Sequence, residues 1–227
     1  MTVVGTAATH RRSHDPAFIA LAQAWMGKPS KQFIGLVWAG YAEMRAALPV
    51  IDDRDLERSI TQLLEPRIRR AMSGYEPFYI QHGPFERETM QKPPAQPPQY
   101  DLAFVLRSDE RIMWPLEAKV METPNTVARY IKDVRDEFLT CRYGPFSSSG
   151  AMLGYLLAGD SADALSAIGA ALGCTLEPLA DHLDKPASLS RHDRTVPAGK
   201  SYPASFECYH LILAWPDLKR ATPSSDG

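Results

Sequence analysis

Apolar residues recur at helical spacing through the first third of the chain and give way to short, nearly continuous apolar runs from its middle onward. Asp15-Pro16 predicts a helix start, an acceptor side chain followed by proline in the first turn, running to Met26 and stopped by Gly27. A second helix follows Pro29-Ser30, with Phe33, Leu36, Val37, Trp38, Tyr41, Met44 and Leu48 as its apolar stripe. Asp52 or Asp53 is placed to cap a third, in which Leu56, Ile60, Leu63 and Leu64 recur, and Pro66 is expected to end or kink it before Arg67-Ile68-Arg69-Arg70. Phe78-Tyr79-Ile80 reads as a short strand, and the proline-rich stretch from Lys92 to Gln99 as extended chain.

The middle of the chain predicts a β-hairpin. Tyr100 to Leu106 forms one apolar run, Ile112 to Val120 the next, and the polar stretch Arg107 to Arg111 joins them. A turn at Ser108-Asp109-Glu110 sets Arg107 against Arg111, and counting outward sets Asp101 opposite Glu117. Opposed residues have Cβ atoms roughly 4.5–5.5 Å apart, so two carboxylates there repel unless a cation lies between them. Side chains alternate along a strand, which puts Lys119 on the face of Glu117 and Leu116, Ala118 and Val120 on the other. Pro115 is the position at which a bulge would shift this register by one residue. Downstream, Thr123-Pro124 predicts a helix through Arg142, ended by Gly144. Ala151 to Ala158 reads as a strand, Asp160 to Leu172 with Gly173 as a helix, Leu183 to Pro203 as a loop, and Phe206 to Trp215 as a last strand. That order predicts an α/β sandwich around a mixed sheet.

Composition narrows the class. A chain of 227 residues with 44% apolar and 23% charged residues suits a globular domain with a real core. The expected division is a flexible arm over 1–14, a helical segment over 15–50 packed on the core, a core over 51–218 and a flexible tail over 219–227. No apolar run approaches the ~20 residues that span a bilayer, and the basic residues near the N-terminus follow a weak apolar stretch, the wrong order for a secretory signal. Three widely spaced cysteines point to reduced thiols and a cytoplasmic location. A net charge of −2 requires that any nucleic-acid binding come from a local patch.

An Asp-bearing strand, a Glu-x-Lys strand and a following helix, preceded by an acid-bearing helix, resemble the PD-(D/E)XK nuclease superfamily. Asp101, Glu117 and Lys119 carry the resemblance, with Glu57 in Glu57-Arg58-Ser59-Ile60-Thr61 as the helical acid and Asp55 or Glu65 as its alternates. It covers roughly Asp53 to Trp215. The family's aspartate commonly follows a proline; here Tyr100 precedes Asp101, with Pro97-Pro98 nearby. The resemblance implies a restriction-endonuclease-like αβββαβ core and Mg²⁺-dependent hydrolysis of phosphodiester bonds (Mn²⁺ substituting), usually of DNA, in restriction, repair or anti-phage defence. It also implies work as a homodimer or with a partner protein of a defence system. The chemistry agrees: a hard divalent cation binds through one or two carboxylates plus phosphate oxygens. Asp101 and Glu117 supply those, with the Ala118 carbonyl as a further ligand and Glu57 for a second metal or a metal-bound water. Lys119 orients or deprotonates the attacking water, or stabilises charge on the phosphate.

Each motif has a plainer account. A lone Glu-x-Lys triplet is common on solvated strands, and Trp215-Pro216-Asp217-Leu218-Lys219 repeats the letters at a chain end. Arg129, Lys132 and Arg135, spaced by three, together with Arg142-Tyr143, are candidates for nucleic-acid contact, whereas Arg67, Arg69 and Arg70 read as a solvated helix end. His210 reads as a core histidine, and Cys174, His182 and His192 lack zinc-ligand spacing. The competing function is a catalytically silent nucleic-acid-binding or regulatory subunit; a two-carboxylate glycosidase fits the adjacent lysine poorly.

Overall fold

The apolar stripe after Ser30 folds as helix α1 (Ser30–Ala46), which buries Phe33, Ile34, Val37 and Met44. Phe33 stacks on Phe104 with ring centroids 4.2 Å apart and meets Phe78 edge-on. The computed structural model describes Pro16, Phe18, Ala20, Ala22 and residues 30–48, 50–52, 55–89, 97–218 and 220–221. Of the helix expected from Pro16 to Met26, those four residues are helical. The rest of it, the arm at 1–14, residues 90–96 and the tail from 222 lie outside the described residues.

Helix α2 (Leu56–Ala71) is capped by Asp55, whose carboxylate accepts from the Arg58 N–H at 3.3 Å, rather than by Asp52 or Asp53. Asp52 lies instead in a two-residue strand, β1 (Ile51–Asp52), parallel to β9 (Arg220–Ala221). Residues 220–221 are therefore paired strand, where a flexible tail was expected; a two-residue strand has no periodicity to display. The helix also continues through Pro66. Proline there removes one N–H, the donor to the Gln62 carbonyl, while Leu64 and Ile68 stay fully buried on either side and hold the helix in place.

A seven-stranded mixed sheet lies between the helices. Strands β2 (Phe78–His82), β3 (Leu102–Leu106) and β4 (Met113–Met121) form an antiparallel meander. The β3–β4 ladder pairs Leu102 with Leu116, so one step further Asp101 stands across from Glu117, as the turn count requires. Pro115 makes no bulge and pairs with Ala103. Its missing N–H points toward β5, where pairing begins only at Leu116.

Helix α3 (Ala128–Asp133), continued by a π-helical turn (Val134–Phe138), starts later than Thr123-Pro124 and ends before Arg142. Thr123 and Thr126 form a turn instead, the Thr123 N–H donating to Thr126 Oγ1 at 3.3 Å. Strand β5 (Ser149–Leu156) runs parallel to β4, and helix α4 (Ser161–Leu172) ends at Gly173 with φ 74°. Strands β6 (Glu177–Pro178), β7 (Ala187–Asp193) and β8 (Ser205–Ala214) complete the sheet in the order β2-β3-β4-β5-β8-β7-β6. Strand β7 corrects the expected loop from Leu183 to Pro203. Its buried positions include Ser188 and Ser190, polar residues that conceal a strand from a hydrophobic pattern.

Each face of the sheet has its own apolar core. Helices α1 and α2 pack with Leu102, Phe104, Trp114, Leu116, Ala118 and Leu211, among others. Tyr130, Val134 and Phe138 of α3 and Ile168 of α4 pack with Val105, Met121, Met152 and Ile212. The molecule is α/β, with a central mixed sheet and helices on both sides. Among the described residues no helix is long and apolar enough to cross a membrane.

Candidate functional site

Strand β4 outruns its neighbour. Pairing with β3 stops at Leu116, while β4 continues to Met121, so the N–H groups of Ala118 and Val120 face a gap with no strand in it. Buried amides require acceptors. Asp101 Oδ2 accepts from the Ala118 N–H at 2.7 Å, and Glu57 Oε2, at the first turn of α2, accepts from the Val120 N–H at 3.1 Å. Two carboxylates thus finish the hydrogen bonding of the open strand, and both are brought to Lys119 by doing so.

Lys119 and Glu117 share the face of β4 that looks toward α3, and each is 7% exposed. The Lys119 ammonium donates to Glu117 Oε1 at 2.8 Å, to the Ala118 carbonyl at 2.6 Å and to Glu57 Oε1 at 3.2 Å. Asp133 Oδ2, at the end of α3, lies 2.9 Å from the same nitrogen and Asp101 Oδ2 3.9 Å. One ammonium therefore sits among four carboxylates drawn from both helical layers, the middle of β4 and the residue before β3.

The charge is unbalanced. Burial, together with the charges of Asp101 and Asp133, pushes the Glu117 carboxyl well above its ordinary pKa, against the pull of Lys119. Burial by itself would lower the Lys119 pKa; the combined charges of Glu117, Asp101 and Glu57 outweigh it and hold the amine above its ordinary value. Lys119 is therefore held as a cation in the neutral range. Glu117 Oε2 is buried and has no hydrogen-bond partner among the described residues.

Asp101, Glu117, Lys119, Glu57 and the Ala118 carbonyl all meet in one place. The alternate acids do not: Asp55 caps α2, and Glu65 pairs with Arg69. Asp133 is the member that sequence reasoning missed. Its signal was its position beside the buried stripe Tyr130, Ile131 and Val134, legible only once the start of α3 is known. The proposed nucleic-acid contacts divide. Arg129 is exposed and makes no ion pair among the described residues. Lys132 pairs with Asp136 at 3.0 Å, Arg142 pairs with Glu137, and Arg135 donates to the Ala171 carbonyl at 2.7 Å. Tyr143 is buried, donates to the Gln99 carbonyl at 2.8 Å, and is raised in pKa by burial and by Glu117, Glu137, Asp101 and Asp133. Asp217 of the terminal look-alike pairs with Arg45 on the surface. His210 is a core histidine, bonded to Tyr130 at 2.9 Å and to Ser190 at 2.7 Å.

The donor set suits a hard divalent cation: oxygen ligands only, with a buried, unpartnered oxygen on Glu117 directly across from Asp101. With the ammonium between the acids, no three His, Cys, Asp or Glu side chains among the described residues converge closely enough to hold a metal ion. A cation there would take up the charge the lysine leaves uncompensated. No family model, curated protein or solved structure matches the chain.

Proposed function

We propose that the chain is a metal-dependent endonuclease that hydrolyses phosphodiester bonds of DNA. One observation carries the reading: a single ammonium stands among four carboxylates at a split strand edge, with Glu117 Oε2 buried and unpaired. Element order supports it. Helix α2, strands β2 to β4, helix α3 and strand β5 succeed one another in the order αβββαβ, with Glu57 on α2, Asp101 just before β3 and Glu117 and Lys119 on β4.

Asp101 and Glu117 would hold Mg²⁺ or Mn²⁺, with Glu57 beside them. When bound, the cation supplies Lewis acidity toward a phosphate oxygen and lowers the pKa of a ligated water. The chain's own residues do the rest. Glu117, with Asp101, would hold the cation, and Lys119, held cationic, would stabilise negative charge building on the phosphate. Arg129, exposed on α3, is available to a backbone phosphate.

The silent-scaffold reading has one specific point in its favour: Asp101 and Glu57 satisfy backbone amides, work they would do in an inactive protein too. A cleavage panel separates the two. Purified protein is incubated with supercoiled plasmid, linear duplex, single strands and RNA, with Mg²⁺, Mn²⁺ or chelator. The nuclease reading predicts nicked and linear plasmid only with the cation, and loss of cleavage in Asp101→Ala, Glu117→Ala and Lys119→Ala. Cleavage retained in all three, or no cleavage of any polymer, overturns it.

A further inference from the structure

The four acids around Lys119 are not equivalent. Glu117 has its second oxygen free, and Asp101 is the acid farthest from the ammonium at 3.9 Å. Glu57 is committed through both oxygens, one to the Val120 amide at 3.1 Å and one to Lys119 at 3.2 Å. Asp133 approaches Lys119 from the opposite helical layer at 2.9 Å, and among the described residues no backbone donor holds it. An ammonium has three protons, and here they go to the Ala118 carbonyl, Glu117 and Glu57, with Asp133 at 2.9 Å as an ion pair. If a cation drew Glu117 away, Asp133 is the carboxylate placed to take the proton so released.

Resting on the nuclease reading, we propose that Asp133 is a positioning residue: with Glu57 it clamps Lys119 from the two faces of the sheet, keeping the ammonium at the reacting phosphate while Asp101 and Glu117 serve the cation. Asp133 ends the regular part of α3, and the next five residues form a π-helical turn, a widening that often marks a functional position in a helix. Removing the clamp leaves the metal ligands in place and frees a long, flexible amine.

The division predicts a split. In Asp133→Asn, Mn²⁺ affinity measured without substrate stays within about twofold of wild type, while single-turnover plasmid cleavage falls about 10- to 100-fold, the range seen when a supporting residue is removed. Asp133→Glu recovers part of the rate. Asp101→Asn, by contrast, loses Mn²⁺ affinity itself. A third readout needs no nuclease activity: labelling of Lys119 by a small amine reagent, followed by mass spectrometry, speeds up several-fold in Asp133→Asn and returns toward wild type in Asp133→Glu. Loss of Mn²⁺ affinity in Asp133→Asn would make Asp133 a ligand and overturn the assignment, as would undiminished cleavage or unchanged labelling. If wild type cleaves nothing but labelling still accelerates, the clamp stands and the nuclease reading falls.

Discussion

At the scale of single residues, two carboxyls among the described residues stand in surroundings that resist ionisation. Glu117 is one. The other is Glu86, buried next to the segment that leads into the site, where burial pushes its pKa up to about 7 against a hydrogen bond from the Tyr100 hydroxyl at 2.5 Å. Tyr100 precedes Asp101, and its hydroxyl also accepts the Gly144 N–H at 2.8 Å, so Glu86 braces the wall of the site. A carboxyl raised from 4.5 to about 7 binds more protons folded than unfolded, so its stabilisation is complete below 4.5 and is lost as pH rises through about 7. That interval corresponds to about 3 kcal/mol. Glu86→Gln keeps the acceptor and removes the titration. Chemical denaturation of both proteins from pH 4.5 to 8 is expected to show wild type losing about that much relative to Glu86→Gln toward the alkaline end; parallel profiles would contradict it.

At the scale of elements, the connector after α3 depends on one buried cation. Arg194, following β7, donates through Nε to the Phe138 carbonyl at 2.9 Å and through its other nitrogens to the carbonyls of Tyr143, Gly144 and Ser147 at 2.7 to 3.1 Å. Its guanidinium also lies over the Phe206 ring. Arg194→Met would take a donor from all four carbonyls and leave those of Tyr143 and Ser147 without one among the described residues, while Phe138 and Gly144 keep the Cys141 and Ser147 N–H groups. The loss is on the order of 3 kcal/mol, read by urea denaturation, and a change under about 1 kcal/mol would show that water replaces the guanidinium. The same elements show what a sequence displays. The hairpin is legible because apolar alternation and a short polar turn determine its register, which is why Asp101 falls across from Glu117. Strand β7 is not, because Ser190 and His210 satisfy one another inside the core and read as loop composition. The late start of α3 escapes for a local reason: a threonine turn competes with a proline helix start and wins.

At the scale of the whole molecule, the site is a product of topology. Two strands that part after Leu116, a helix on each face and an acid at each helix end converge on one lysine. The hairpin count sets Asp101 across from Glu117 and puts Lys119 on the same face, and the family resemblance points to Glu57 with Asp55 and Glu65 as alternates. Asp133 could not be placed, since its approach depends on how α3 packs across the sheet. The cluster has four carboxylates against one ammonium, and the proposed function requires it to take a divalent cation. Titration with Mn²⁺, following the free ion by electron paramagnetic resonance, tests that most directly. Wild type is expected to remove at least one ion per chain from solution, with Mg²⁺ competing and with tighter binding as pH rises and Glu117 releases its proton; the Asp101→Asn, Glu117→Gln double variant is expected to remove none. A wild-type chain that binds no Mn²⁺, or a double variant that binds it as well as wild type does, would contradict the account.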